Sequence, residues 1–122
     1  MKLETAFYKS IDFLKSKGLM TPSVARFLDE NLEIVSFRNP NSRGRMDCTR
    51  GLSKPKLWVD DSESFVEVTR TMVHELVHYI QMLTLGASEF ERIYKTSEGA
   101  NLLEHQAEAI AQEFTLVGAE KY

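Results

Sequence analysis

Two of the three histidines in the chain stand four residues apart, in the sequence HELVH. On an α-helix, His74 and His78 project from the same face about one turn apart. Two imidazoles at this spacing can bind a single Zn²⁺. Glu75 is rotated by about 100° around such a helix, which directs its carboxylate to the water on the metal rather than to the metal. The pattern predicts a zinc site in which Glu75 is the general base.

A catalytic zinc site has three protein ligands and a water, so one more ligand must come from elsewhere. The continuation of the motif does not supply it, because Gln81 and Thr84 stand where metzincins have glycine and histidine. The last predicted helix offers Glu104, His105 and Glu108. The two glutamates share a helix face and His105 is rotated by about 100° from it. The residues themselves leave all three candidates open.

The two segments together resemble the gluzincin metallopeptidases, which pair HExxH with a downstream Glu-x-x-Ala-Glu on another helix. Residues 104–108 have the sequence EHQAE, and the resemblance covers roughly residues 57–118. It implies that Glu104 is the third zinc ligand, that Glu108 orients His74 through its other ring nitrogen and that Ala107 lets the two helices approach closely. A compact, phage-like or mobile-element-like peptidase domain is implied. A three-histidine site with His105 would instead resemble the SprT-like peptidases.

Length and composition are consistent with a single small enzyme domain spanning residues 1–122. The chain has a mass of 14.0 kDa, 43% hydrophobic and 27% charged residues and a net charge of −3, which disfavours nucleic acid or an anionic membrane as a partner of the whole chain. The single cysteine, Cys48, excludes an internal disulfide and a site made of several thiolates. Because neither a membrane span nor a signal peptide is recognisable, we expect a cytoplasmic protein.

The elements that must position these side chains follow from hydrophobic periodicity and turn residues. The fold class predicted is α+β, with N-terminal helices, a small antiparallel sheet and an HExxH helix packed against a C-terminal helix that carries the third ligand. The predicted helices lie at residues 3–17, from 22 to about 32, from Ser62 to the stop at Gly86, and from Asn101 to about Val117; the strands lie within 32–37, 45–51 and 56–59.

The function predicted is hydrolysis of a peptide or protein substrate by metal-activated water. The strand at 56–59 is a candidate edge on which an extended substrate could pair, and Tyr79 and Tyr94 are candidate donors to the transition state, although packing roles are common for tyrosines in such segments. An alternative function comes from residues 38–56, which hold six basic side chains and one acid. They favour a catalytically silent zinc-binding module for a protein or nucleic-acid partner, unless these charges only protect strand edges from aggregation.

Overall fold

A computed structural model describes residues 2–118 of the 122-residue chain. The fold is α+β, as predicted. In chain order the elements are α1 (Lys2–Ser16), α2 (Pro22–Asn31), β1 (Glu33–Ser36), β2 (Gly44–Asp47), β3 (Lys56–Val59), α3 (Phe65–Leu85), α4 (Ala87–Tyr94), α5 (Ser97–Glu113) and a π-helical turn (Phe114–Gly118). No helix within residues 2–118 is long and apolar enough to cross a membrane.

Helix α3 is the centre of the molecule and carries the HELVH motif. It begins after Ser64, whose hydroxyl accepts a hydrogen bond from the backbone N–H of Glu67, and it ends at Gly86, which has a positive φ of 87°. One side of α3 packs on α1 and another on α5, while the sheet covers a third. Met72 and Leu76 have no exposed surface. The motif is therefore built on the most completely buried helix described.

The sheet is mixed rather than wholly antiparallel, and its strand order is β1-β3-β2. We predicted an antiparallel sheet, and β2 does pair antiparallel with β3, but β3 pairs in parallel with β1. Leu57 and Val59 of β3 are completely buried, whereas Glu33 and Ser36 at the ends of β1 are exposed. β3, the most apolar of the three strands, lies in the centre of the sheet, so its neighbours cover both of its edges. The predicted substrate edge at β3 is therefore wrong.

The connection from α3 to α5 is mostly helical. It contains α4, and α5 begins at Ser97, one turn before the predicted start, since the Thr96 hydroxyl caps it by accepting from the Gly99 N–H. Regular α-helix ends at Glu113 and gives way to the π-helical turn. The predicted end of this helix, at about Val117, therefore falls in the π-helical turn.

Candidate metal centre

Small residues bring α5 against the motif helix. Ala107 and Ala111, one turn apart on α5, have no exposed surface, and α5 packs along α3. A side chain larger than alanine would hold two helices further apart at such a contact. Glu104 lies one turn before Ala107, so the close approach carries its carboxylate to the histidine face of α3. This is the spatial role that the resemblance implied for Ala107.

The structure brings His74, His78 and Glu104 together. Glu104 Oε1 lies 3.3 Å from Nε2 of His74, and Glu104 Oε2 lies 2.9 Å from Nε2 of His78. One ligand atom from each of the three residues lies within 4.8 Å of the other two. His105 is exposed and does not belong to this group, and Glu108 approaches the opposite side of the His74 ring. Of the three candidate ligands, Glu104 alone faces both histidines.

The donor set fits a metal ion. Ligand atoms about 2.0–2.2 Å from a tetrahedral zinc lie about 3.3–3.5 Å from one another. Glu104 Oε1 lies 3.3 Å from Nε2 of His74, within this range, and 3.1 Å from Nε2 of His78, slightly below it. Partial burial would raise the pKa of Glu104, but the charges of His78 and His74 and their hydrogen bonds outweigh it and hold this pKa below its ordinary range. The carboxylate is thus in the form that binds metals. The three side chains could hold a metal ion.

His74 is oriented by a carboxylate and an arginine. Glu108 Oε2 lies 3.2 Å from Nδ1 of His74, and the other oxygen of Glu108 accepts a hydrogen bond from the guanidinium of Arg70. A carboxylate only accepts hydrogen bonds, and each ring nitrogen of His74 faces one, Nδ1 towards Glu108 and Nε2 towards Glu104. When a metal ion binds Nε2, the ring proton is on Nδ1 and is donated to Glu108. Glu108 stands where the resemblance placed it, but Arg70 had no sequence signal beyond its position one turn before His74 on the helix.

His78 is oriented by an uncharged partner. Its Nδ1 lies 2.8 Å from Oε1 of Gln81, and Nε2 of Gln81 donates to the backbone carbonyl of Leu103 at 3.0 Å. In the sequence, Gln81 stands out only because it departs from the metzincin pattern. The signal that could have found it is its spacing, since residues three apart on a helix are neighbours. That signal is weak because it holds for any helical residue.

These contacts leave two acceptors facing each other at the centre of the group. If Nδ1 of His78 carries the proton, its Nε2 presents a lone pair to the carboxylate of Glu104 at 2.9 Å. The same applies to His74 at 3.3 Å. A lone pair and a carboxylate oxygen repel each other unless a cation lies between them. A proton or a metal ion at this point removes the repulsion, and a metal ion does so for all three side chains at once.

Glu75 is a largely buried carboxylate beside the group. Its side chain is 13% exposed, and Oε1 accepts a hydrogen bond of 2.9 Å from the backbone N–H of Met46 in β2. Burial raises the pKa of Glu75, and the nearby charge of Glu104 adds to this, against the opposing effects of His78 and the Met46 amide. Its other oxygen lies 4.0 Å from Nε2 of His74. The carboxylate therefore lies next to the metal-binding atoms and is not one of them.

The two tyrosines have different surroundings. Tyr79 is 1% exposed and donates its hydroxyl hydrogen bond to the carbonyl of Leu52 at 2.7 Å, so it is a packing residue. Tyr94 is 41% exposed, and its ring lies 6.2 Å from that of His78. Burial, followed by the charge and a hydrogen bond of Glu104, raises the pKa of the Tyr94 hydroxyl. Tyr94 is therefore at the centre and Tyr79 is not.

An apolar cavity of about 290 Å³ adjoins the centre. Phe90 and Tyr94 of α4 stack on each other at 5.5 Å and form one wall, with their rings also against His78. The opposite wall includes Cys48, which directly follows β2. The cavity thus lies between α4, whose rings contact His78, and the end of the edge strand β2.

Most basic residues of the segment 38–56 are paired with acids. Salt bridges within 4.0 Å link the segment to Asp60, Asp61 and Glu67, among others, and to Glu33 on β1. The basic partners are Arg38, Arg43, Arg45, Arg50 and Lys56. Because of this pairing, the surface has a weaker positive potential than the basic residues of the segment would give without their acidic partners.

No protein-family model, curated protein or solved structure matches the chain. The resemblance to gluzincins is carried by the HELVH motif and the segment 104–108. To these the structure adds the meeting of His74, His78 and Glu104 at one point.

Proposed function

We propose that the protein is a zinc-dependent peptidase that binds Zn²⁺ through His74, His78 and Glu104. The observation that carries the proposal is the position of the Glu104 carboxylate, within 3.3 Å of Nε2 of both histidines of the motif. Zinc suits two imidazoles and one carboxylate and in catalytic sites keeps a fourth position open for water. When bound, zinc lowers the pKa of that water and polarises a substrate carbonyl.

Glu75 acts as general base in this proposal. A base must lie close to the proton that it takes, and its pKa must be nearer to the working pH than that of a solvated carboxylate. Glu75 meets both conditions because it adjoins the metal-binding atoms and burial raises its pKa. The hydrogen bond from the Met46 N–H holds one oxygen in place and leaves the other directed towards the centre. Glu75 accepts the proton of the attacking water and returns it to the leaving amine.

The substrate is proposed to pair with β2 rather than β3. β2 has one neighbour in the sheet, so its second edge is not paired with another strand. Met46 directs its N–H from this edge towards Glu75, so the edge passes directly beside the centre. An extended peptide can pair with the backbone groups of this edge that remain, since the Met46 N–H is already bonded to Glu75. The apolar cavity at the end of β2 is then the place for a bulky apolar side chain.

A substitution of Glu75 tests the proposal directly. Glu75→Gln keeps the size and the hydrogen-bond acceptor of the side chain but removes its basicity, so we expect stoichiometric zinc with hydrolysis reduced by about 10²–10⁴-fold. His74→Ala and Glu104→Ala should lose zinc and activity together. Glu67→Gln is the matched control, because Glu67 lies on the same helix in an exposed ion pair with Arg43.

The measurements are elemental analysis of freshly purified protein and cleavage of a peptide library followed by mass spectrometry. Absence of zinc after zinc is added back would refute the site. A Glu75→Gln variant as active as wild type would refute the mechanism while leaving the site intact. Zinc binding without cleavage of any peptide, together with DNA binding that falls with salt and ignores Glu75→Gln, would instead support the silent zinc-binding module.

A further inference from the structure

We propose that Gln81 is a positioning residue that holds the proton of His78 on Nδ1 and thereby presents Nε2 of the ring to the metal. The inference rests on the proposed zinc site and is independent of whether the protein cleaves peptides. Gln81 lies three residues after His78 on α3, and its side chain lies between that ring and α5.

The orientation of the Gln81 amide follows from its partner on α5. A backbone carbonyl only accepts hydrogen bonds, so the atom 3.0 Å from the oxygen of Leu103 must be the amide nitrogen. A second acceptor, Oε1 of Gln106, lies 3.2 Å from the same nitrogen. The amide oxygen is then directed at Nδ1 of His78, 2.8 Å away. Since this oxygen only accepts, Nδ1 must carry the proton.

Burial makes this choice of tautomer energetically significant. Gln81 is 8% exposed and His78 is 7% exposed, so water has little access with which to replace a lost hydrogen bond. A buried polar group without a partner costs about 1–3 kcal/mol. With Gln81 in place, the tautomer with the proton on Nε2 would leave Nδ1 facing another acceptor. Gln81 therefore excludes the tautomer without a proton on Nδ1, and a metal ion relieves the facing of Nε2 and the Glu104 carboxylate at 2.9 Å.

Gln81 also connects the two helices that supply the ligands. The carbonyl that it binds belongs to Leu103, the residue directly before Glu104. One buried side chain thus contacts the ring of one ligand and the backbone next to another. His74, whose side chain is more exposed, has instead the charged partner Glu108, which is itself paired with Arg70. A charged carboxylate in place of Gln81 would carry a larger cost of burial, which accounts for an uncharged amide at the buried histidine.

Two substitutions separate the hydrogen bond to His78 from the connection to α5. Gln81→Met keeps the length of the side chain and removes both hydrogen bonds. Gln81→Glu keeps an acceptor for Nδ1 and loses the donor to Leu103. Gln112→Met, at an exposed position of α5, is the matched control for the change to methionine. Zinc affinity is measured by competition with a chromophoric chelator, and the ring N–H of His78 by ¹⁵N-correlated NMR of the zinc-loaded protein.

We expect Gln81→Met to weaken zinc binding by about 10–100-fold, the usual effect of losing a partner of a histidine ligand. Its zinc-loaded form should also lose the slowly exchanging Nδ1–H signal of His78. Gln81→Glu should keep that signal and most of the affinity, and Gln112→Met should match wild type. If circular dichroism shows that Gln81→Met does not fold, the proposal is tested by the Nδ1–H signal of His78 in zinc-loaded Gln81→Glu. The absence of that signal overturns the proposal.

Two other outcomes contradict the inference. Wild-type zinc affinity and an unchanged His78 signal in Gln81→Met would show that the ring needs no partner at Nδ1. Equal loss of affinity in Gln81→Met and Gln81→Glu would show that Gln81 acts only by joining α3 to α5. Either result would leave the zinc site of His74, His78 and Glu104 in place.

Discussion

Glu108 Oε2 lies 3.2 Å from Nδ1 of His74, on the side of the ring away from Glu104. The imidazole is thus held between two carboxylates of one helix that stand one turn apart. Glu104 faces the ring nitrogen that would bind a metal, and Glu108 faces the nitrogen that would carry the proton when the metal is bound. Because α5 packs on α3, two glutamates one turn apart on α5 reach opposite sides of the same ring and take different roles.

Glu108→Gln should weaken zinc binding by about 10-fold or more, because partners of histidine ligands raise the basicity of the ring and hold its orientation. The amide still offers an acceptor, but the negative charge on the far side of the ring is gone. Affinity is measured by chelator competition at constant pH. Glu113→Gln is the control, since Glu113 lies on α5 in an exposed pair with Lys17. A Glu108→Gln variant that binds zinc as tightly as wild type would argue against this role.

A second prediction concerns the close contact between β2 and the motif helix. A Cβ at Gly44 would lie 2.5 Å from Cγ2 of Thr71 and 3.1 Å from the carbonyl oxygen of Trp58. Gly44→Ala should therefore lower the free energy of unfolding by about 1–3 kcal/mol, as overpacking usually does. It should also move β2 away from Glu75, whose Cγ lies 3.4 Å from the same position.

Thr71→Ser removes the methyl group that makes the closest contact. In the double variant Gly44→Ala/Thr71→Ser, the loss of stability should be smaller than the sum of the two single losses, with a coupling of about 0.5–3 kcal/mol. Urea unfolding of the four proteins measures it. Strict additivity would mean that β2 moves freely and that Gly44 does not set its distance from α3.

Sequence patterning was sufficient to predict the fold class and the helix face that carries His74 and His78. Gly86 marked the end of α3, whereas the start was predicted at Ser62 and the observed N-cap is Ser64. The strand predicted at 56–59 has its observed bounds. The identity of strand neighbours was not predictable, because pairing depends on which strand buries more apolar surface between two others. That property belongs to the assembled sheet and not to any one segment.

The candidate site shows the same division between local and long-range information. His74, Glu75 and His78 are linked by local spacing, so one helix determines their arrangement. The choice of Glu104 over His105 required the packing of α5 on α3, since only that packing shows which side of α5 faces the histidines. Gln81 was missed because its role depends on the Leu103 carbonyl, 22 residues away in the chain.

The reactivity of the Cys48 thiol, in the wall of the apolar cavity, should depend strongly on pH. Burial, assisted by the charge of Asp47, raises the pKa of the Cys48 thiol from 9.0 to about 11. Only the thiolate reacts with iodoacetamide, so at pH 8 the folded protein should be alkylated about 100-fold more slowly than the urea-unfolded chain. The rate in the folded protein should keep rising up to about pH 11. Equal rates in the two states would contradict the burial of this thiol.

Tyr94 and Tyr79 form a matched pair for the last prediction, which rests on the proposed peptidase activity. Tyr94→Phe keeps the stacking with Phe90 and removes a hydroxyl next to Glu104. A donor aimed at the oxygen that becomes negatively charged in the transition state is worth about 10²–10³-fold in kcat. We expect Tyr94→Phe to lower kcat by a factor within or somewhat below that range. Zinc content and KM should be nearly unchanged, because in this proposal the hydroxyl is not a zinc ligand and acts only on the transition state.

Tyr79→Phe makes the same chemical change at a buried site. It leaves the Leu52 carbonyl without its hydrogen bond of 2.7 Å and should lower the free energy of unfolding by about 1–3 kcal/mol without a comparable effect on kcat. Steady-state kinetics and urea unfolding of both variants separate the two roles. If Tyr94→Phe retains full kcat, transition-state stabilisation must come from another donor at the centre. If its zinc content falls instead, the hydroxyl acts on the conformation of Glu104 and not on the substrate.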